Sequence, residues 1–178
     1  MLRLLGYIIH EINLNGEQAG TIENRNRYWF IAISSGLPQV DLKQLPFYKR
    51  LYEKLGDALE FVAHEDDCWS DNAYLKAKAL KDELAGKNFK RELVNNDTTL
   101  VNCIGRGYAR KRSTECFLVR DDGKERLLTP VEHARVKGIP ESLVSGVAQT
   151  TAHEVLGQSI LFNNCQGLSS LIASCVFL

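Results

Sequence analysis

At 178 residues the chain has room for one ordinary domain, or a small domain with an appendage. Its 44% hydrophobic and 25% charged content is that of a globular protein and argues against disorder. Lys plus Arg and Asp plus Glu are equal at 22 each, which excludes a general electrostatic attraction for a polyanion, so any nucleic-acid contact must come from a local patch.

Five cysteines, an odd number with no C-x-x-C pair, point to reduced thiols in a cytoplasmic compartment rather than a disulfide framework or a zinc site. No apolar run approaches the ~20 residues of a membrane helix, so no membrane partner is expected. The last four residues, Cys175-Val176-Phe177-Leu178, fit a prenylation pattern, but no polybasic run precedes them and the lipid reading is set aside.

The first predicted element is a strand from Gly6 to Asn13, rich in Ile and Tyr. A polar turn follows, then a second strand from Tyr28 to Ser34, apolar on both faces and therefore expected to need cover on both sides. From Pro46 to Phe61 the residues Phe47, Leu51, Leu55 and Leu59 recur every four positions and predict an amphipathic helix. A second helix is predicted from about Asn72 to Ala85, stopped by Gly86. Between these two, His64-Glu65-Asp66-Asp67-Cys68 reads as a solvated acidic loop, because adjacent residues rarely converge on one ion.

Residues 87 to 125 read as turns and short strands. Thr129-Pro130-Val131-Glu132 then carries a complete helix start: an N-cap, a proline at the first position and a capping box. Gly138 should end that helix. Thr151-Ala152-His153-Glu154 is a second capping box, opening a short helix that Gly157 should interrupt.

Two basic stretches could carry chemistry. In Glu23-Asn24-Arg25-Asn26-Arg27 the two arginines alternate and would point the same way on an extended backbone, suiting a phosphate or a base edge, or pairing with Glu11 or Glu23. In Arg106-Gly107-Tyr108-Ala109-Arg110-Lys111-Arg112 four cations flank a tyrosine, as in a phosphate-binding strip or a solvated basic loop.

Taken in order, these stretches resemble the late motifs of the DNA (cytosine-5)-methyltransferases. Leu5-Gly6-Tyr7, Leu14-Asn15 and Glu23-x-Arg25-x-Arg27 with the following strand look like motif VIII. Arg126-x-Leu128-Thr129-Pro130-x-Glu132-x-Ala134-Arg135-x-x-Gly138-x-Pro140 is similar to motif IX, and Gly157-Gln158-Ser159-Ile160 to motif X. The resemblance implies the C-terminal half of such an enzyme. Residues 1–37 would end the catalytic sheet, 38–125 would form the target-recognition region, and 126–178 would return to the catalytic domain. The implied fold is α/β: an incomplete S-adenosylmethionine-dependent methyltransferase sheet with a small, irregular recognition domain.

By the same resemblance Arg25 and Arg27 would contact the target cytosine and phosphate, and Gln158 and Ser159 would hold S-adenosylmethionine. Arg106, Tyr108, Arg110, Lys111, Arg112 and Ser113 would lie along double-stranded DNA. Two departures stand out: Glu23 replaces the family's usual glutamine, placing an acid near the DNA backbone, and Gln158 replaces an asparagine. No cysteine follows a proline and no Glu-Asn-Val segment occurs, so the implied activity, part of a restriction-modification system, requires a second polypeptide bearing the nucleophile. The alternatives are a non-catalytic DNA-binding module and a truncated remnant.

Overall fold

The computed structural model describes residues 1–88 and 90–176. Phe177 and Leu178, which end the prenylation-like tail, lie outside the described residues. A short 3-10 turn, Leu2–Leu5, is closed by Gly6 at φ 82°, a left-handed conformation that glycine adopts without steric cost. Strand β1 (Tyr7–Leu14) follows, then the two-residue β2 (Glu23–Asn24) and β3 (Arg27–Ser34). β1 and β3 pair antiparallel along their whole length, from Tyr7 opposite Ser34 to Leu14 opposite Arg27. One face of this ladder presents Ile31 and Ile33 to Val40, Leu171 and Ile172. The other does not have the cover its composition led one to expect: Tyr28 and Phe30 are 59% and 58% exposed.

The helix predicted from Pro46 to Phe61 is not there. Only one turn forms, α1 (Leu55–Ala58), and the residues before it run extended. Their backbone hydrogen bonds go to other segments: Tyr48 N–H donates to Gln18 O, Leu55 N–H to Thr98 O and Gly56 N–H to Asn96 O. Each such bond removes a donor from the helical ladder, and the four-residue apolar repeat does not restore it. Phe47 and Leu51 accordingly stand 69% and 80% exposed instead of forming a buried stripe.

Helix α2 (Ala73–Leu84) matches its expectation within a residue or two, and Gly86 follows it at φ 68°. Asn72 precedes the helix, but its side chain donates to Glu125 instead of capping. Four short strands come next: β4 (Glu92–Val94), β5 (Val101–Asn102), β6 (Cys116–Val119) and β7 (Glu125–Arg126). They form the sheet β4-β6-β7, with β6 parallel to β4 and antiparallel to β7. β5 instead pairs parallel with β2, which stitches the middle of the chain to its beginning. The segment His64 to Asp67 is an exposed turn.

Three helices complete the chain: α3 (Pro130–Val136), α4 (Gln149–Gln158) and α5 (Phe162–Val176). α3 starts as its sequence specifies: Thr129 Oγ1 accepts from Glu132 N–H while Glu132 accepts from Thr129 N–H. α4 departs from expectation at both ends. It begins at Gln149, before the predicted capping box, and Gly157 lies within its last turn instead of breaking it. Val101, Ile104, Tyr108, Phe117, Leu118, Leu128 and Val136 pack into the main core, which Ile22 and Leu55 also join. Ala134, Ala152 and Leu156 close the α3–α4 contact.

Candidate functional site

The two arginines of the first basic stretch separate. Residue 25 follows β2 and turns inward, whereas residue 27 begins β3. Arg25 is buried, and its two terminal nitrogens donate inward, to Glu23 Oε1 at 3.4 Å, Cys103 Sγ at 3.0 Å, Ile104 O at 3.3 Å and Gly157 O at 3.0 Å. It therefore ties the β2 region to the end of α4, where the expectation was a contact with target base or phosphate. Arg27 keeps a single intramolecular bond, to Asn26 O at 2.8 Å, and remains accessible.

Glu23 is also buried, so it does not confront a DNA backbone as its replacement of glutamine suggested. Its Oε2 accepts from Lys137 Nζ at 2.7 Å, and its Oε1 from the Ile104 amide at 2.7 Å. Lys137 is fully buried at the C-cap of α3, where a cation also meets the negative end of the helix dipole. Burial lowers the lysine's pKa and the Glu23 charge opposes that shift. The pair joins β2 to α3.

Gly157 explains how α4 reaches the second basic stretch. A Cβ on it would lie 2.3 Å from Arg106 N and 2.4 Å from Gly105 O, so the helix crosses that backbone at a distance only glycine permits. Gln158 and Ser159, the residues expected at the cofactor, follow directly. Gln158 is exposed, whereas the Ser159 hydroxyl donates to Leu156 O at 2.6 Å and keeps only its acceptor capacity. The crossing thus brings the end of α4 beside the start of the basic strip.

Within the strip, Arg106, Arg110, Lys111 and Arg112 are exposed. Tyr108 is not. Its hydroxyl donates to Cys116 O at 2.8 Å and accepts from the Leu128 amide at 2.9 Å, and burial raises its pKa well above the ordinary value. An amphipathic ring in the middle of a cationic run looks like a ligand contact, but here it anchors the loop to the core. Ser113 is likewise buried, its oxygen accepting from Lys78 Nζ at 2.9 Å. Both side chains were expected along DNA, and in the structure their polar atoms meet these internal partners.

One feature escaped the sequence reading. His133 on α3 and His153 on α4 are buried against each other, with Nδ1 atoms 3.1 Å apart, and both rings pack on Tyr108. One Nδ1 donates and the other accepts, so at least the accepting ring is neutral. Burial pushes His153 down to about 4 and His133 well below its ordinary value, the latter helped by the Lys137 charge. The signal was present in the apolar spacing of Ala152, His153 and Leu156, which puts the histidine on the packed face of its helix.

α3 in turn holds the middle of the chain. Glu132 receives Arg126 through two bonds of 2.6 and 2.7 Å and also accepts from the Glu60 amide at 2.9 Å, while Arg135 donates to Ala58 O at 3.2 Å. Such a forked, desolvated pair fixes orientation as well as proximity.

A family model described as C-5 cytosine-specific DNA methylase matches residues 1–172. The chain belongs to that family. The match starts at the first residue, in the N-terminal region of this chain, and it overturns the expectation that the chain is defined as a C-terminal half carrying motifs VIII to X. Among the chain's curated relatives is the type II methyltransferase M1.ScrFI of Lactococcus lactis subsp. cremoris, 26% identical over 165 residues, which cover 89% of this chain and 41% of the relative. The type II methyltransferase M.NlaX of Neisseria lactamica is 29% identical over 163 residues, covering 89% of this chain and 50% of the relative. The chain thus spans about half the length of the curated relatives it matches. Its fold is similar to that of the Dnmt2 methyltransferase of S. pombe, with a TM-score of 0.77 at 22% identity over 97% of this chain and 59% of that one. It is also similar to the methyltransferase EhMeth of Entamoeba histolytica, with a TM-score of 0.71 at 16% identity over 97% and 55% of the two chains. The α/β fold expected from the sequence, with an incomplete methyltransferase sheet, agrees with these likenesses, and the structure carries small mixed sheets. Among the described residues no helix is long and apolar enough to cross a membrane.

Proposed function

We propose that this methylase takes part in transferring a methyl group from S-adenosylmethionine to cytosine in double-stranded DNA, as a component of a restriction-modification system. The observation that carries the reading is the family match across residues 1–172. In this reading residues 38–125 are the target-recognition region, held to the flanking segments by Glu132, which accepts from the Glu60 amide, and by Arg135, which donates to Ala58 O.

Carbon-5 of cytosine is a poor nucleophile until a thiolate adds to the ring, and the base must leave the stack to be reached. S-adenosylmethionine, when bound, supplies the methyl group. The exposed amide of Gln158 offers both a donor and an acceptor to it, and Ser159 offers an acceptor. Arg27, the arginine left accessible, contacts the extruded cytosine or its flanking phosphate, and Arg106, Arg110, Lys111 and Arg112 follow the DNA backbone.

None of the five cysteines follows a proline. Two of them are held as neutral thiols: burial and Asp66 push Cys68 up to about 11, and burial raises Cys116 well above its ordinary value. In this reading none of the five cysteines is the nucleophile, a second polypeptide supplies it, and residues 1–178 alone are inactive. The exposed cations support a second reading, a DNA-binding module without catalysis. Measuring 5-methylcytosine in DNA after co-expression with the nucleophile-bearing segment of a relative separates the two. Methylation that is lost in Arg27→Ala supports the enzyme, and salt-dependent DNA binding with no methylation supports the module.

A further inference from the structure

Helix α2 lies across a groove from the end of the basic strip. Asn72, Tyr74, Leu75 and Lys78 form one wall and Arg110 to Thr114 the other, enclosing about 630 Å³. Four lining residues are cationic and none is acidic. Elsewhere in the chain Arg91, Arg126 and Lys137 are each bonded to a buried carboxylate. Among the described residues no carboxylate lies within salt-bridge distance of Lys78, Arg110, Lys111 or Arg112. The acids nearest to hand are Asp82, which is engaged by Lys87 at 2.8 Å, and the partly buried Glu115 beside Arg112.

The cations are also arranged rather than merely clustered. Lys78 Nζ donates one hydrogen bond to the buried Ser113 Oγ at 2.9 Å, which fixes the ammonium over the groove and leaves two donors free. Lys111 sits at φ 50°, the left-handed turn that ends the 3-10 helix Tyr108–Arg110 and spaces its side chain from its neighbours. At the rim Tyr74 is 78% exposed, an aromatic face with no internal partner to account for it. In a chain of zero net charge, four cations that remain unneutralised on facing walls create a local field for a polyanion.

We propose that this groove, and Lys78 and Tyr74 of α2 in particular, grips a phosphodiester backbone of the duplex DNA. The inference rests on the DNA reading above and adds to it a second wall, supplied by a helix outside the basic strip. The cations of both walls neutralise consecutive phosphates, and Tyr74 packs on an adjacent sugar or base. Arg110 to Arg112 alone would make a one-sided contact; α2 turns it into a clamp that sets the depth of the duplex against the α4 crossing.

The test is fluorescence-anisotropy titration of the full chain with a mixed-sequence DNA duplex over a series of salt concentrations. Each neutralised phosphate contributes about 0.9 to the slope of log affinity against log salt, so Lys78→Met should lower that slope by roughly one such step. Lys78→Met with Lys111→Met should lower it by about two steps. Tyr74→Ala should weaken binding without changing the slope, and Lys43→Met, an exposed lysine outside the groove, should change neither. Wild-type slopes in Lys78→Met and in the double variant, with binding intact, would overturn the groove and leave the DNA reading standing. A folded wild-type chain that does not bind duplex DNA would overturn both.

Discussion

Position 23 carries a carboxylate where the resembling family carries an amide, and Lys137 is what makes that tolerable. Removing the charge from one side strands an ammonium with no water around it, and breaking a buried pair in this way costs about 3–5 kcal/mol. Glu23→Gln should therefore destabilise the fold by that order in urea titrations, and Lys137→Met added to it should recover most of the loss. A Glu23→Gln variant as stable as the parent would show that Lys137 reaches solvent. The histidine pair makes a separate prediction. His153 is held at about 4 in the fold against 6.5 unfolded, so the unfolded chain takes up protons first. Stability is then undiminished by this group above pH 6.5 and falls as the pH drops toward 4, by roughly 3 kcal/mol. His133, lowered for the same reason, adds to the fall in the same direction. Denaturation midpoints at pH 7 and pH 4.5 should differ clearly, and His153→Gln should flatten the difference.

At the level of elements, what the sequence disclosed depended on whether the stabilising partners were local. α3 was legible because its cap, its first-turn proline and its capping box are neighbours in the chain. α2 was legible from Gly86 and its helix-forming residues, although the N-cap geometry differed because Asn72 found Glu125. Residues 46–54 were not legible: their apolar repeat fits a helix, but the partners that win their amides, Gln18, Asn96 and Thr98, are distant in sequence. Arg25 and Arg27 illustrate the same limit, since alternation predicts one shared face only within a single strand, and Arg25 lies past the end of β2 while Arg27 begins β3. Gly157 read as a helix breaker because its reason, the Gly105 backbone, is 52 residues away by number. Forcing a side chain into that crossing should cost about 2 kcal/mol, as overpacking of a tight interior does. Gly157→Ala should lower the thermal midpoint and also weaken DNA binding by displacing Arg106. An unchanged midpoint would mean that α4 can move off the strip without loss.

Across the whole molecule the buried polar links form one frame. Glu23 and Lys137 join β2 to α3, Arg25 joins the β2 region to α4, and Glu132 with Arg126 joins α3 to the middle of the chain. The side chains read as functional then divide by what that frame consumes. Arg25, Tyr108 and Ser113 are built into it, whereas Arg27, Gln158 and the four exposed cations of the strip stay outside it. The β1–β3 ladder stands apart from it, for its outer face displays Tyr28 and Phe30. Methyl transfer from labelled S-adenosylmethionine to mixed-sequence duplex DNA, measured with residues 1–178 alone and with a nucleophile-bearing methyltransferase segment added, tests the central claim most directly. Label in cytosine only when both are present is the predicted result; no label from the combined, folded proteins would contradict it.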